Sequence, residues 1–463
     1  MKKRSLFTLC ALAGLAALPL RAQESAPAAP AAPKSPPVTM LMALTGDSII
    51  TQRLTPYREP EFLRLIDLIR NADVALTNVE MLFHNYEGYP SVVSGGTYMR
   101  AEPELAKELS WAGFDLAPNA NNHTGDYSVE ALFSTERALT EAGLVYAGTG
   151  ENLQQAREAR YADTAMGRVA LVACSSTFSP QSVAGRQRSD MKGRPGLSPL
   201  RFETKYTVDQ ATLDELRALA GKLGGGRGGR GGGAAATEIT FQGSRFVLGD
   251  KFGMVRTPLK QDVDEIVAAV KDGKSMARHV IVYMHNHEGG AGTAPADFAI
   301  TFAHAVIDAG ATLYVSSGPH VLHGIEIYKG KPIFYSLGDF IFQNDTVLRQ
   351  PQENYDSQGL GVDARVGDFN NKRTAYDTRS WPAQREIWES VVALPKFVGD
   401  QLVELQLIPI TLGFGQQAGI RGRPILASPD NANKILADLI KMSEPLGTKI
   451  ENRNGVGFVL LSP

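Results

Sequence analysis

The sequence predicts an α/β domain built around a central, largely buried sheet. Two observations carry this: segments with strand and helix character alternate along most of the chain, and the domain opens on an uninterrupted apolar run. That run is Val38-Thr39-Met40-Leu41-Met42-Ala43-Leu44-Thr45. Gly46-Asp47 closes it, as a turn after a buried strand. Next, Glu61 to Ala72 sets Phe62, Leu65, Ile66 and Ile69 at helical spacing. Asp73 to Thr77 reads as a strand, Glu104 to Ala112 as a helix and Phe114 to Ala117 as a short strand. Val129 to Ala142 is helical and stops at Gly143, and Arg168 to Ala173 is rich in strand formers. Residues 177–210 are irregular, with many Ser, Gly, Pro and Arg. Beyond them a helix over 262–271 leads to a strand over 279–284, and a helix over 297–309 stops at Gly310. Strands over 311–316, 324–328 and 332–336 follow. No internal repeat is visible.

The chain has 463 residues, 47 basic against 49 acidic side chains, 8 His and 2 Cys. This balance excludes a collagen-like or disordered chain, a disulfide scaffold and a strongly basic nucleic-acid binder. Two cysteines cannot build a zinc ribbon, so any metal must be held by His, Asp, Glu and Asn.

Residues 1–22 read as a secretory signal. Lys2-Lys3-Arg4 precedes an apolar run from Leu6 to Leu20 that is too short to span a membrane, and Ala22 offers a cleavage point. Cleavage removes Lys2, Lys3, Arg4 and Arg21, leaving 43 basic residues against 49 acids, a net charge of -6. Cys174 is then the one remaining cysteine. The expected location is periplasmic or extracellular, with membrane tethering if the signal stays uncut. Residues 23–37 form a Pro/Ala-rich tether, and the domain occupies 38–463. Within it, a flexible Gly/Arg-rich insertion is expected around 221–236, centred on Gly224 to Gly233.

Four polar loops stand where strands end: Gly46-Asp47; Thr77-Asn78-Val79-Glu80; Asn119-Ala120-Asn121-Asn122-His123 with Asp126-Tyr127; and a split region, His285-Asn286-His287-Glu288 with Gly318-Pro319-His320-Val321-Leu322-His323. In open α/β sheets ligands bind beyond the carboxyl ends of the strands, so Asp47, Glu80, Asn122, His285 and His320 should converge. Carboxylate and amide oxygens mixed with imidazoles suit divalent Mn, Fe, Zn or Mg, with no basis for choosing among them. Ions so held can activate water for attack on phosphorus or carbonyl carbon. His123 fits a general acid beside that centre. Plainer roles are also available. Gly-Asp can be only a turn, Asn-Asn-His can cap the next helix, and His323 can be structural. Strand alternation puts His285 and His287 on one face. His84, His279 and His304 stand alone and read as surface or core residues.

In this order the motifs resemble those of the poly-γ-glutamate capsule-synthesis (CapA) family, a branch of the calcineurin-like metallophosphatase superfamily. The most specific passages are Asn121-Asn122-His123 with Asp126-Tyr127, and the stretch from Gly318-Pro319-His320-Val321 to Gly338-Asp339-Phe340. Arg421-Gly422-Arg423-Pro424, a helix over 431–443 and Pro445-Leu446-Gly447-Thr448 also fit. The resemblance implies a four-layer α-β-β-α sandwich with a site at the sheet edges. Carried over, Asp47, Glu80, Asn122, His285 and His320 are metal ligands, Asp47 and His123 are catalytic, and Asn78, Asn121, Glu288 and His323 are expected to meet substrate. The chain departs from the family pattern twice. Gly318 stands where the first residue of a His-Pro-His is usual, and Asn286-His287 replaces a Trp-Gly. His287 is therefore expected to supply the replacement imidazole.

Two functions follow from the resemblance. One is a metal-dependent hydrolase, phosphoesterase-like, acting on a phosphoester or an envelope polymer. The other is a non-catalytic assembly, export or carboxylate-binding factor for an anionic polymer, using a partly degenerate metal site within a membrane-associated polymer-synthesis complex. The net charge of the cleaved chain gives no general attraction for a polyanion, although a local metal site reverses the sign. Fold analogy alone does not choose between them.

Overall fold

A computed structural model describes residues 38–223, 237–289 and 293–461. The expected signal, the tether and most of the expected Gly/Arg-rich insertion lie outside the described residues. Residues 221 and 222, expected to open that insertion, instead end the helix Gln210–Lys222.

The predicted alternation appears as β1 (Thr39–Ile49), α1 (Pro60–Arg70), β2 (Val74–Val79), α2 (Ala106–Ala112), β3 (Leu116–Pro118), α3 (Ser128–Glu141) and β4 (Val145–Ala147). These four strands belong to a ten-stranded sheet in which β1, β2, β3 and β4 are parallel neighbours. On its other side β1 pairs antiparallel with Glu389–Val398, which continues through Gln401–Thr411 to the hairpin Ile450–Arg453 and Val456–Val459. A second sheet of six strands has the order Ile325–Tyr328, Lys331–Phe334, Leu313–Ser317, His279–His285, Gly167–Ser175, Arg160–Thr164.

Side-chain alternation shows how the layers stack. Met40, Met42 and Leu44 of β1 share an inner core with Val169, Leu171 and Ala173 and with Ile281 and Tyr283 of the second sheet. The intervening residues face outward. Ala43 meets Phe62, Leu65, Ile66 and Ile69 of α1 and Leu109 of α2. Ala170, Val172 and Cys174 meet Ile266 and Val270 of helix Lys260–Met276 and Phe298 and Phe302 of helix Asp297–Asp308. The result is a layered α/β fold in the order helices, sheet, sheet, helices. Each fully buried Phe, Leu or Ile in these cores contributes about 1.5–3 kcal/mol by leaving water. The C-terminal helix Pro429–Ser443 turns Ile435, Leu436 and Leu439 into the inner core.

The sequence expectations differ from the structure in three further places. The irregular stretch 177–210 contains the strand Phe202–Val208, which joins Glu238–Phe241, Ser244–Leu248 and Gly253–Pro258 in an unanticipated four-stranded sheet. The helix expected over 262–271 runs from Lys260 to Met276, because Gly273 packs against Ala159 and Ala170, where close approach outweighs its poor helix propensity. The Asn-Asn-His loop does not cap α3: Tyr127 holds the N-cap position with no side-chain cap.

β1 changes partner at Gly46. Its first residues pair with Glu389–Val398, whereas Asp47, Ser48 and Ile49 pair in parallel with Asp339, Ile341 and Phe342 of strand Asp339–Phe342. A Cβ at Gly46 would stand 1.7 Å from the carbonyl oxygen of Gly338, so the crossover requires glycine. The candidate centre is built over this crossover.

Candidate metal centre

The row Asp339, Asp47, Asn78 crosses three adjacent strands in register. On the facing sheet His285 ends its strand between Ser175 and Ser317. The carboxyl ends of both sheets therefore meet over one buried space, as expected for an α/β sheet.

Asp47 is fully buried. Its Oδ1 accepts hydrogen bonds from Asn78 Nδ2 at 2.6 Å, Ser317 Oγ at 2.5 Å and Tyr283 OH at 3.3 Å, and lies 3.6 Å from His285 Nδ1. Burial alone would raise its pKa. The hydrogen bond to His285, the charges of His285 and His320 and the Ser317 hydroxyl outweigh burial and hold it at about 2. Glu80 follows β2 and is also fully buried; its carboxylate oxygens lie 3.7 Å from His123 Nε2, 3.7 Å from His285 Nε2 and 3.9 Å from His320 Nδ1. Burial and the Asp47 charge push it well above the ordinary range. Asp339 is raised to about 6 by burial, partly offset by His320, whose Nδ1 lies 2.9 Å from its Oδ1.

His320 sits at φ +60, in the left-handed region that residues other than glycine seldom enter. Burial disfavours its charge, but Asp339, Glu80 and Asp47 raise it to about 10. His285 and His287 are driven the other way: burial lowers both, and for His287 the neighbouring His285 and His320 lower it further. Their Nε2 atoms stand 3.0 Å apart, and the rings of His287 and His320 meet edge-on at 5.5 Å.

Among the described residues five buried oxygens around this space have no hydrogen-bond partner: Asp47 Oδ2, Asn78 Oδ1, both Glu80 oxygens and Asp339 Oδ2; Asn122 Oδ1, in the loop that carries His123, is likewise unpartnered. Unpartnered buried acceptors are costly, and several together beside the imidazoles of His285 and His287, whose charged forms burial disfavours, constitute a donor set for a hard to borderline divalent cation. Two groups, Glu80 with His287 and His320, and Asp47 with Glu80, His320 and Asp339, each hold ligand atoms within 4.8 Å of one another. The residues present therefore fit metal binding.

His123 is held beside this space by its own loop. Its Nδ1 lies 2.7 Å from Asp126 Oδ2, which places the ring proton on Nδ1 toward the carboxylate and turns Nε2 toward Glu80. Asp126 also accepts from the backbone N–H groups of Met99 and Gly95. Asn121 accepts from His123 N–H and donates to the carbonyl of Val79, tying the loop to the end of β2.

The structure thus brings Asp47, Glu80, His123, His285, His287 and His320 together, with Asn78 contributing an unpartnered oxygen and Asn122 carrying another in the adjoining loop. Four sequence expectations are placed differently. Asn78 spends its amide on Asp47, so its first task is to orient a ligand rather than to meet substrate. Asn121 spends both polar groups on loop closure. Glu288 accepts from the hydroxyls of Ser176 and Thr177, bracing the turn that carries His287. His323 is buried at the end of the split loop, and among the described residues its ring makes no hydrogen bond or ion pair with the cluster. Sequence reasoning assigned no role to Asp339, Asp126, Tyr283 or Ser317. Asp339 shares the Gly-Asp dipeptide of Gly46-Asp47, but it opens its strand, Asp339–Phe342, instead of closing one.

Gly318 accounts for the departure from the family pattern. It lies at φ +128, and a Cβ there would stand 2.5 Å from the carbonyl oxygen of Asn286. No histidine fits at 318 without moving that backbone, and the adjoining His287 enters the cluster from the other side.

Comparison with known proteins agrees with this geometry. Residues 42–344 match the family model described as bacterial capsule synthesis protein PGA_cap. An uncharacterized protein of Sinorhizobium fredii, y4sH, is 36% identical over 91% of this chain and 93% of its own length. The capsule biosynthesis protein CapA of Bacillus anthracis is 23% identical over 64% of this chain and 54% of its own. A probable polyglutamine synthesis accessory protein of Mycobacterium tuberculosis is 29% identical over 52% of this chain and 49% of its own. The match therefore spans about half the length of these two named relatives. Among the described residues no helix is long and apolar enough to cross a membrane.

Proposed function

Because the chain belongs to the bacterial capsule synthesis protein PGA_cap family, we propose that it is an exported accessory protein of poly-γ-glutamate or other capsular or envelope polymer synthesis, whose metal centre hydrolyses a phosphoester or a related bond. The observation that carries the chemical part is the set of unpartnered buried oxygens of Asp47, Glu80 and Asp339 grouped with His285, His287 and His320.

In this reading Asp47, Glu80, Asn122 and Asp339 hold metal through oxygen, and His285, His287 and His320 through nitrogen. Divalent metal, when bound, supplies Lewis-acid polarisation of the scissile group and activation of water. The chain's own residues do the rest. Ser317, Tyr283 and Asn78 fix the Asp47 carboxylate, so ligand geometry is set before substrate arrives. His123, in its doubly protonated form, gives the Nε2 proton to the leaving oxygen, while Asp126 stabilises and orients the charged ring from Nδ1. The test is hydrolysis of aryl phosphate mono- and diesters by purified protein with added Mn²⁺. Absence of turnover by the wild type removes the phosphoester part of the proposal.

A second reading has a specific observation in its favour: the backbone at Gly318 excludes the imidazole usual in the family. In that case the centre binds carboxylates of the polymer without cleaving a bond. Restoration of surface polymer in a strain lacking the gene by a chain carrying Asp47→Ala and His123→Ala supports this reading over catalysis.

A further inference from the structure

His287 sits in a turn whose residues are each tied to a different part of the fold. Asn286 donates from its backbone N–H to the carbonyl of Ser317 at 2.9 Å and from Nδ2 to Ser316 Oγ at 2.6 Å. The carbonyl of Gly289 accepts from Arg256 Nη1 at 3.0 Å, on an edge strand of the four-stranded sheet. Between these two ties, the turn is fastened to the end of strand Gly167–Ser175. The chain runs on from that strand as Ser176-Thr177, and the Ser176 N–H donates to the carbonyl of His285 at 3.0 Å.

Thr177 makes the tie that reaches His287 itself. Its Oγ1 accepts from the His287 backbone N–H at 2.8 Å and lies 2.9 Å from Glu288 Oε1. A hydroxyl has one proton and an ionised carboxylate only accepts, so the Thr177 proton goes to Glu288 and a lone pair faces His287. Ser176 Oγ donates to the other Glu288 oxygen at 2.6 Å. The half-buried Glu288 carboxylate thus sets the direction of a short relay that ends on the His287 backbone. The ring carried by that backbone has its Nε2 3.0 Å from His285 Nε2 and shares a candidate ligand group with Glu80 and His320.

We propose that Thr177 and Glu288 are positioning residues that aim the His287 imidazole into the cluster and so bias the centre toward late first-row divalent ions, Co²⁺ or Zn²⁺, over Mn²⁺. This deepens the reading of the cluster as a metal centre and rests on it. Carboxylate oxygens suit Mn²⁺ and Mg²⁺, and each imidazole added to them shifts the preference toward later ions. Groups that orient a ligand from behind act on metal affinity through that ligand. A brace of the loop alone would instead affect every ion alike.

The test is calorimetric titration of the metal-free full chain with Co²⁺ and, separately, with Mn²⁺, together with the visible absorption of the Co²⁺ form. Wild type should bind Co²⁺ the more tightly. Thr177→Val should weaken Co²⁺ about tenfold or more, weaken Mn²⁺ less and alter the Co²⁺ absorption; Thr177→Ser, which keeps the hydroxyl, should restore both. In a His287→Ala background Thr177→Val should cost no further Co²⁺ affinity, because its effect runs through that ring. Unchanged Co²⁺ affinity and absorption in Thr177→Val overturn the proposal, as do equal losses for the two ions or a fully additive loss in the His287→Ala background. If Thr177→Val fails to fold, Glu288→Gln replaces it under the same outcomes, since its amide leaves one of the two hydroxyls without an acceptor. The readings fail separately. A wild type that binds neither ion removes the metal centre, and the proposal with it. Thr177-dependent Co²⁺ binding without aryl phosphate turnover removes the phosphoester reading alone, and metal binding with turnover but no dependence on Thr177 removes the positioning role alone.

Discussion

Asp47 and Asp339 are register partners on adjacent parallel strands, and the backbone N–H of Asp47 donates to the carbonyl of Gly338 at 3.0 Å. Both carboxylates are fully buried, and each leaves one oxygen without a hydrogen bond. The pairing sets two negative groups side by side on a rigid backbone, a repulsive arrangement that a bound cation relieves.

Asp339→Asn should therefore weaken metal binding. We expect metal content, read by elemental analysis, to fall by more than half. With chelator present the variant should melt below the wild type, because the charged His320 ring loses the carboxylate 2.9 Å from its Nδ1. With Mn²⁺ the gap should widen, since saturation at about a hundred times Kd stabilises the wild type by about 2.7 kcal/mol. Equal metal content in the two proteins would falsify the assignment.

His123→Ala should lower aryl phosphate turnover by about 10²–10⁴-fold with metal content intact, and Asp126→Asn should lower it less. The loss should be smaller for a p-nitrophenyl than for a phenyl leaving group, because the better leaving group needs less protonation. A loss equal for both esters counts against His123 as the proton donor.

His287→Ala should reduce metal content, whereas Gly318→His should not raise it. At 318 the positive φ and the Asn286 backbone make any side chain costly, and we expect Gly318→His to destabilise the protein by about 1–3 kcal/mol in chemical denaturation. Unaltered metal content in His287→Ala removes this histidine from the ligand set.

His279 starts the strand that His285 ends, and among the described residues neither ring nitrogen of His279 has a hydrogen-bond partner. Burial lowers its pKa from 6.5 to about 4. The unfolded chain then binds a proton at this residue that the folded chain refuses. The penalty is absent above about pH 6.5 and grows as pH falls toward 4. His279→Leu should gain stability relative to wild type over that window, on the order of 1–2 kcal/mol. A stability difference constant between pH 7.5 and 4.5 contradicts this.

Much of the centre was legible because strand ends announce themselves. Asp47, Glu80, His285 and His320 each follow an apolar run, and the order of runs places them at one edge. Asp339 was harder to read: its strand, Asp339–Phe342, is short and joins β1 only where β1 releases another partner, a long-range event with no local pattern. The four-stranded sheet was missed because Gly253–Pro258 and its neighbours are half-exposed and lack an apolar run. The loops over 119–126 and 285–288 were placed correctly, but the residues that brace and those that face the cavity look alike in sequence. Only hydrogen bonding separates Asn121 from Asn122.

The partner exchange of β1 at Gly46 also bears on the order of assembly. β1 is made early, yet the strands that flank it, Asp339–Phe342 and Glu389–Val398, are made late. Until they emerge from the ribosome, an apolar strand has one edge unsatisfied, a state prone to wrong pairing. The ligand cluster closes only with that final docking, so an intact centre reports that nearly the whole chain has reached its native arrangement.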